Sequence, residues 1–285
     1  MSMFPYVIRQ LELSVHECRK DCPAIEGCGD TAIRSADSVV ALYAGSLEDG
    51  SGSGSFLYSI AEEECKHFNT CTKKGKSTVN TIFMSEMEAF QTNITNRDCW
   101  DAHGKKETIA RQMKVPLVQG TLRYAYQRAF GTELSQTDIA TGAAFAASVV
   151  PMIASCSFKD AEIINNNMET SSEKTDFRLV KDALEKHYGC IGITCKDVGG
   201  VWDSKAHKYM EYAEPCTFDE VPVEKPKRSK KKLFLGFGIP LGLVLVLVTM
   251  RIKHVLHQRY KQRKEQFPDE YSDSEEDDNF DLHLT

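Results

Sequence analysis

The chain has 285 residues, of which 41 % are apolar and 27 % charged, a balance that suits a folded protein of one large or two small domains. Its net charge is −6, with 35 Lys and Arg against 41 Asp and Glu, so it lacks the concentrated positive charge of a nucleic-acid binder. The charge is unevenly placed: residues 225–232 (KPKRSKKK) hold six basic side chains, and residues 251–285 hold six basic and nine acidic ones.

The first twenty residues place Arg9 and Glu12 where a secretory signal would carry an apolar run. The expectation is a missing N-terminus or the C-terminal part of a longer chain. Val39, Val40, Tyr43 and Leu47 then recur at helical spacing, and Gly50–Gly54 (GSGSG) breaks the chain. A second helix is predicted over Phe56–Phe68, with Leu57, Ile60, Ala61, Cys65 and Phe68 on one side. Val79, Ile82, Phe83, Met87, Phe90 and Ile94 mark a third, and Trp100–Met113 a weaker fourth. Pro116 suits a helix start, followed by Leu117–Phe130 until Gly131. Ser135 with Asp138 reads as an N-cap and an acidic first turn. It opens the small-residue stretch ATGAAFAASVV, predicted to be a central buried helix that Pro151 kinks or interrupts. Phe177–His187 is amphipathic, with Gly189 as its stop, and the rest to Cys216 is loop-rich. No alternating strand pattern stands out. These signals predict an all-α ectodomain over residues 1–216, an antiparallel helical bundle.

Leu233–Met250 is 18 residues without a charge, just enough to cross a hydrocarbon core of about 30 Å as a helix. Basic linker 217–232 precedes it and a tail, 251–285, follows. With six Lys and Arg on each flank, the positive-inside rule does not orient the span. The cysteines do. All ten (Cys18, Cys22, Cys28, Cys65, Cys71, Cys99, Cys156, Cys190, Cys195 and Cys216) precede it, which implies an oxidising compartment on that side. Spacing nominates Cys65 with Cys71 and Cys190 with Cys195 as pairs, and Cys18-x3-Cys22-x5-Cys28 lacks a zinc ribbon's paired rhythm. Asn93-Ile-Thr95 is a glycosylation sequon. Together these predict a type I plasma-membrane protein. In the tail, Ser272 and Ser274 lie in the acidic cluster YSDSEEDD, a phosphorylatable pattern like the sorting signals that engage endocytic machinery. A solvated tail without that role is the competing reading.

Hydrolase, zincin, phosphate-loop and dinucleotide motifs are absent, so an enzyme is not expected. Two clusters carry chemistry. Tyr43, Glu48, Tyr58, Glu62, Glu63, Glu64 and His67 fall on adjacent predicted helices, with Glu63 and Glu64 on the face of His67. Carboxylate, phenolate and imidazole together suit a hard trivalent cation. A solvated acidic face is the plainer reading. In VPLVQGTLRYAYQR, Arg123 could hold a small oxyanion by bidentate bonds or simply reach solvent.

ALYAGSLEDGSGSGSFLYSIAEEECKHFNTC, VPLVQGTLRYAYQ, ATGAAFAASVVPMIASC, DAEIINNNM and HYGCIGITCKDVGG span about Ala41 to Gly200. On these segments the chain resembles the Fea1 family of low-iron-inducible algal surface and periplasmic proteins, and within it the membrane-anchored phytotransferrins. The resemblance implies a helical domain of imelysin-like kind, ferric iron binding at the cell surface, carbonate as a synergistic anion, and endocytic uptake with release at acid pH. It also implies a second such half or a homo-oligomer as a partner, should iron sit between halves. Helix adjacency and these segments together nominate Tyr43, Tyr58 and Tyr124 as phenolate donors, Glu48 and His67 as further ligands, and Arg123 as the anion holder. A structural or adhesive surface protein is the alternative, which metal dependence would separate from the receptor.

Overall fold

The computed structural model describes residues 4–20, 29–45, 56–131 and 134–217. Glu48, Cys22, Cys28, the 217–232 linker beyond Thr217, the 233–250 span and Ser272 and Ser274 lie outside the described residues.

The domain is all-α. Helix α1 (Phe4–Cys18) buries Val7, Leu11, Ser14, Val15 and Cys18, one stripe at spacings of three, four and seven, against α2 (Asp30–Ala44). Ala32, Ser35 and Ala36 keep the α2 face low enough for close approach, and the Ser14 hydroxyl donates to the Ala32 carbonyl at 2.8 Å. Helices α3 (Leu57–Phe68), α4 (Thr78–Asn96) and α5 (Cys99–Gln112) follow the predicted stripes within a residue or two. The Ser77 hydroxyl caps α4 by accepting from the Asn80 amide.

The central helix is α6 (Val115–Phe130), where every residue from Val115 to Leu122 is buried. Helix α3 packs on one side of it, α7 (Gln136–Ala154) on another and α9 (Phe177–Glu185) on a third. The sequence pattern predicts α7 in that place. Instead α7 buries Gly142, Phe145, Ala146, Val149 and Ile153 and exposes Ala140, Ala144, Ala147 and Pro151. Its small residues serve one crossing. A Cβ added at Gly120 would fall 2.3 Å from the Phe145 ring, and one at Gly142 2.8 Å from the Tyr124 Cβ. These reversed registers make α6 and α7 antiparallel; Arg123 with Glu64 and Gln119 with Thr70 do the same for α6 and α3. The Ser135–Asp138 capping box opens α7 as predicted. Pro151 does not interrupt it: the helix runs on to Ala154 with the proline on its exposed side. Among the described residues α7 is the one helix long and apolar enough to cross a membrane, and its inner face is occupied by α6 and by α8 (Phe158–Met168).

Two short helices, α10 (Tyr188–Ile191) and α11 (Cys195–Val198), lead to a two-residue hairpin, β1 (Trp202–Asp203) with β2 (Lys208–Tyr209), paired antiparallel with Trp202 opposite Tyr209. Gly189 lies inside α10, and Gly192, at φ 80°, makes the turn instead. Cys18–Cys99 joins the end of α1 to the start of α5, and Cys65–Cys71 closes the turn after α3 as spacing predicted. Cys190 and Cys195 do not pair with each other. Gly192 and the Thr194–Asp197 capping box turn α11 away from α10, so Cys190 meets Cys156 and Cys195 meets Cys216. No free cysteine occurs among the described residues.

Candidate functional site

Helix α3 carries polar groups on two sides, and the predicted site residues divide accordingly. Toward α2 and α4, the Tyr43 phenol donates to Asn80 Oδ1 at 2.6 Å, and its ring stacks on Phe83 at 3.6 Å. The Asn80 amide in turn donates to the Tyr58 carbonyl and to Glu62 Oε1, each at 2.9 Å. Glu62 also accepts from the Ser77 amide, so the carboxylate pins the start of α4. Tyr43 is fully buried, and burial, with Tyr58 and Glu62 adding to it, holds its phenol far above the ordinary tyrosine range. The group is a hydrogen-bond donor in the core. Tyr58 is half-buried, its ring edge-on to Tyr43 at 6.3 Å.

Toward α6 lies a denser cluster. Glu64 is only 1 % exposed, yet it is ionisable and sits in the apolar stripe with Ala61, Cys65 and Phe68. Its Oε1 accepts from Arg123 Nη2 at 2.7 Å. Arg123 Nη1 reaches Glu63 at 3.4 Å, Nη2 lies 3.5 Å from the Tyr124 hydroxyl, and the guanidinium carbon lies 4.6 Å from the Tyr124 ring centroid. The α3–α6 register that produces this pair is held further along by Gln119, which donates to Val198 and Thr70. Two buried atoms of the pair have no hydrogen-bond partner: Glu64 Oε2 and Arg123 Nε.

Burial pushes the Glu64 carboxyl up to about 7, more than Arg123 pulls it down, and Glu63 adds to the rise. Arg123 is raised in turn, chiefly by Glu64 against its own burial. The two rises act oppositely on the pair, disfavouring the carboxylate and favouring the guanidinium, because the Arg123 side chain keeps 11 % of its surface in solvent, whereas Glu64 keeps 1 %. The carboxyl's rise prevails, since the better-buried partner bears the larger desolvation cost. His67 is lowered by burial and by the Arg123 charge, which favours the neutral imidazole with a free nitrogen lone pair. Tyr124 is raised by burial, with Arg123 opposing. Asp138, from the first turn of α7, also faces Arg123 and Tyr124 electrostatically. Removing Arg123 would take away the one pull that lowers the Glu64 carboxyl and so favour its protonated form.

Of the predicted set, Arg123 and Tyr124 are in contact and His67 feels the Arg123 charge, Tyr43 and Tyr58 form a separate network around Asn80, and Glu48 lies outside the described residues. Glu64 is not among the predicted ligands, and one signal could have found it: at position 64 a carboxylate interrupts the apolar face of α3. Arg123 is not a free anion holder, because it is already engaged by two carboxylates. Among the described residues no three His, Cys, Asp or Glu side chains lie together as a group able to hold a metal ion, so a metal at this cluster would draw on Tyr124 as well. Asn93 is half-buried in the last turn of α4, where its carbonyl accepts from the Asp98 amide and the Thr95 hydroxyl bonds back to Gln91. No protein-family model matches the chain, and no curated protein or solved structure matches it either.

Proposed function

We propose that the chain is a cell-surface receptor that binds ferric iron at the α3–α6 cluster, with Tyr124, Glu63 and Glu64 supplying donors and Arg123 fixing the charge. One observation carries this reading. A buried carboxylate and a guanidinium face each other with an unpartnered polar atom on each, in contact with a phenol. Buried polar groups are otherwise almost always satisfied. A small, highly charged cation prefers such oxygen donors and stabilises the phenolate that burial alone opposes. The resemblance in sequence adds the biological setting: an anchored ectodomain facing an oxidising exterior, a single span at 233–250, and a tail that engages sorting machinery for endocytosis. Binding, not catalysis, is the role.

The test is a ferric titration of the purified full-length protein in mild detergent, followed by visible absorbance. Phenolate coordination gives a charge-transfer band, and Tyr124→Phe should abolish it while circular dichroism stays unchanged. A band that survives Tyr124→Phe and Glu64→Gln together would move the site elsewhere. A folded protein that takes up no iron would favour the adhesive reading. That reading has its own support in the exposed aromatic patch where Phe130 and Tyr212 lie 6.5 Å apart, with Arg178 stacked on Tyr212 at 3.6 Å.

A further inference from the structure

We infer that the groove between α2 and α4 is a docking site for a cationic amphipathic helix of a partner protein. The inference is independent of the ferric reading. The two helices run antiparallel: Gln91 donates to Asp37 Oδ1 at 2.9 Å near one end of their contact, and Tyr43 reaches Asn80 at 2.6 Å near the other. Ile33, Asp37 and Val40 form one stripe on α2, and Met84, Glu88 and Gln91 form its counterpart on α4, each at intervals of four and three. Between the stripes lies an open groove of about 560 Å³, whose apolar lining is Val40, Met84 and the buried Met87. Ile33, one turn before Asp37, extends the same face. Ile33 is 39 % exposed and Met84 41 %, so the apolar edge is left uncovered on both walls.

Charge selects the occupant. Asp37 and Glu88 stand on opposite walls within about one helical turn of each other, because Gln91, which touches Asp37, follows Glu88 on the same stripe. No Lys, Arg or His lines the groove among the described residues. Other acids on the same two helices are paired, Asp30 with Arg34 at 3.5 Å and Glu86 with Lys105 at 3.0 Å. Asp37 has the neutral Gln91 amide instead, and among the described residues no cation holds either groove carboxylate. A second copy docked face to face would bring the same two carboxylates against them. An anionic surface would be repelled as well. A segment carrying Lys or Arg complements the pair. Its shape follows from the walls: two packed helices leave a furrow that takes the side-chain ridge of a third. An amphipathic helix lays its apolar anchors into such a groove at spacings of three and four. Methionine suits the lining, since its unbranched thioether adapts to the anchors it meets. Ile33 to Val40 spans about 10 Å, so the anchors cover about two turns.

The experiment uses the full chain in non-ionic detergent and a fluorescent synthetic peptide of leucine and lysine, about 15 residues long, with its leucines at spacings of three and four. Binding is read by anisotropy at low and high salt, against wild type and two variants whose fold is checked by circular dichroism. Peptide partitioning into micelles is common to all three proteins, so their differences isolate the groove. Asp37→Asn with Glu88→Gln keeps shape and the Gln91 hydrogen bond and removes both charges. It should weaken binding about three- to tenfold at low salt and flatten the salt dependence. Met84→Ser removes an apolar anchor and should weaken binding about fivefold at every salt concentration. A peptide with glutamate in place of lysine should not bind. Equal binding by wild type and both variants, equal binding of the glutamate peptide, or no binding of the lysine peptide up to about 1 mM overturns the inference. So does a doubled mass of the full chain in sedimentation that Met84→Ser reverses, since a second copy would then cover the groove.

Discussion

The α6–α7 crossing sets where Tyr124 and Arg123 sit, and two glycine substitutions isolate what that crossing contributes. Gly120 is buried in the middle of α6, and a Cβ there would lie 2.3 Å from two carbons of the Phe145 ring. Gly104 is exposed in the interior of α5, and a Cβ there would meet nothing within 4 Å. Replacing either by alanine brings the same gain in helix propensity, about 1 kcal/mol. That gain cancels between the two variants. What remains is the cost of forcing Phe145, itself buried, off its rotamer or of parting the helices, about 1–3 kcal/mol. Gly104→Ala should therefore stabilise by about 0.5–1 kcal/mol, whereas Gly120→Ala should give a net loss of up to about 2 kcal/mol. The assay is urea unfolding of both variants in mild detergent with the disulfides intact, with the slope checked for constancy. A difference below about 0.5 kcal/mol between them would refute the reasoning, because surface substitutions away from any such clash already scatter by that much. The functional consequence follows the same contact. The Tyr124 ring stacks on Phe145 at 5.7 Å, so Gly120→Ala should also weaken ferric absorption where Gly104→Ala does not.

The disulfides give a second, independent comparison. Cys18–Cys99 closes a separation of 81 residues and Cys65–Cys71 one of 6, so in the chain-entropy account their removal costs about 4–5 and about 2 kcal/mol respectively. Double Cys→Ala variants followed by urea unfolding test this; an equal or reversed order would rule out unfolded-state entropy as the main source of their stabilisation. Tyr43→Phe leaves Asn80 Oδ1 without its donor and should cost about 1–2 kcal/mol of stability while the ferric band is unchanged, the opposite of Tyr124→Phe. Ferric titration and unfolding of the same two samples decide it; a band lost with Tyr43 would place iron at the Asn80 network.

Helices α3 to α6 were legible because their signals are local. Apolar stripes, Ser135 as a cap and Pro116 at a first turn each act within a few residues, and the elements follow them, whereas α1 and α8 were not read from the sequence. Which helix is central was not legible. The small residues of α7 look like a buried helix in sequence, but close approach needs them on one face only, against Gly120 and Tyr124. Helix α6 carries Gln119, Gly120 and Thr121 through the core, and their burial depends on partners far along the chain, Val198 among them. Disulfide pairing escapes the sequence for a related reason. Cys190 and Cys195 are near in sequence, while the turn at Gly192 sends them to Cys156 and Cys216. Of the candidate site residues, Arg123 and Tyr124 are in contact and His67, from the other sequence cluster, feels the Arg123 charge across the α3–α6 packing, which no local spacing shows. Tyr43 and Tyr58 stand apart from them, although α2 and α3 are adjacent, because adjacency does not say which side of a helix a residue faces.

Glu64 is where fold and site oppose each other, and pH exposes the opposition. Its carboxyl stands at about 7 in the folded, metal-free protein against an ordinary 4.5. A carboxyl raised on folding favours the folded state when protonated. Its contribution is fully present below about 4.5 and is lost as pH rises through about 7, a span worth roughly 3 kcal/mol. Urea unfolding of metal-free protein between those limits should show wild type losing stability that Glu64→Gln keeps. Parallel profiles for the two proteins would refute the assignment. The cost that the ionised form imposes is the same one a trivalent cation would relieve, because the metal supplies the compensation that Arg123 gives only in part. Iron should therefore stabilise the protein most near neutral pH and progressively less on acidification, as Glu64 takes up a proton in its place. The carboxylate that weakens the empty bundle at neutral pH would then be the one that ties the metal's retention to pH.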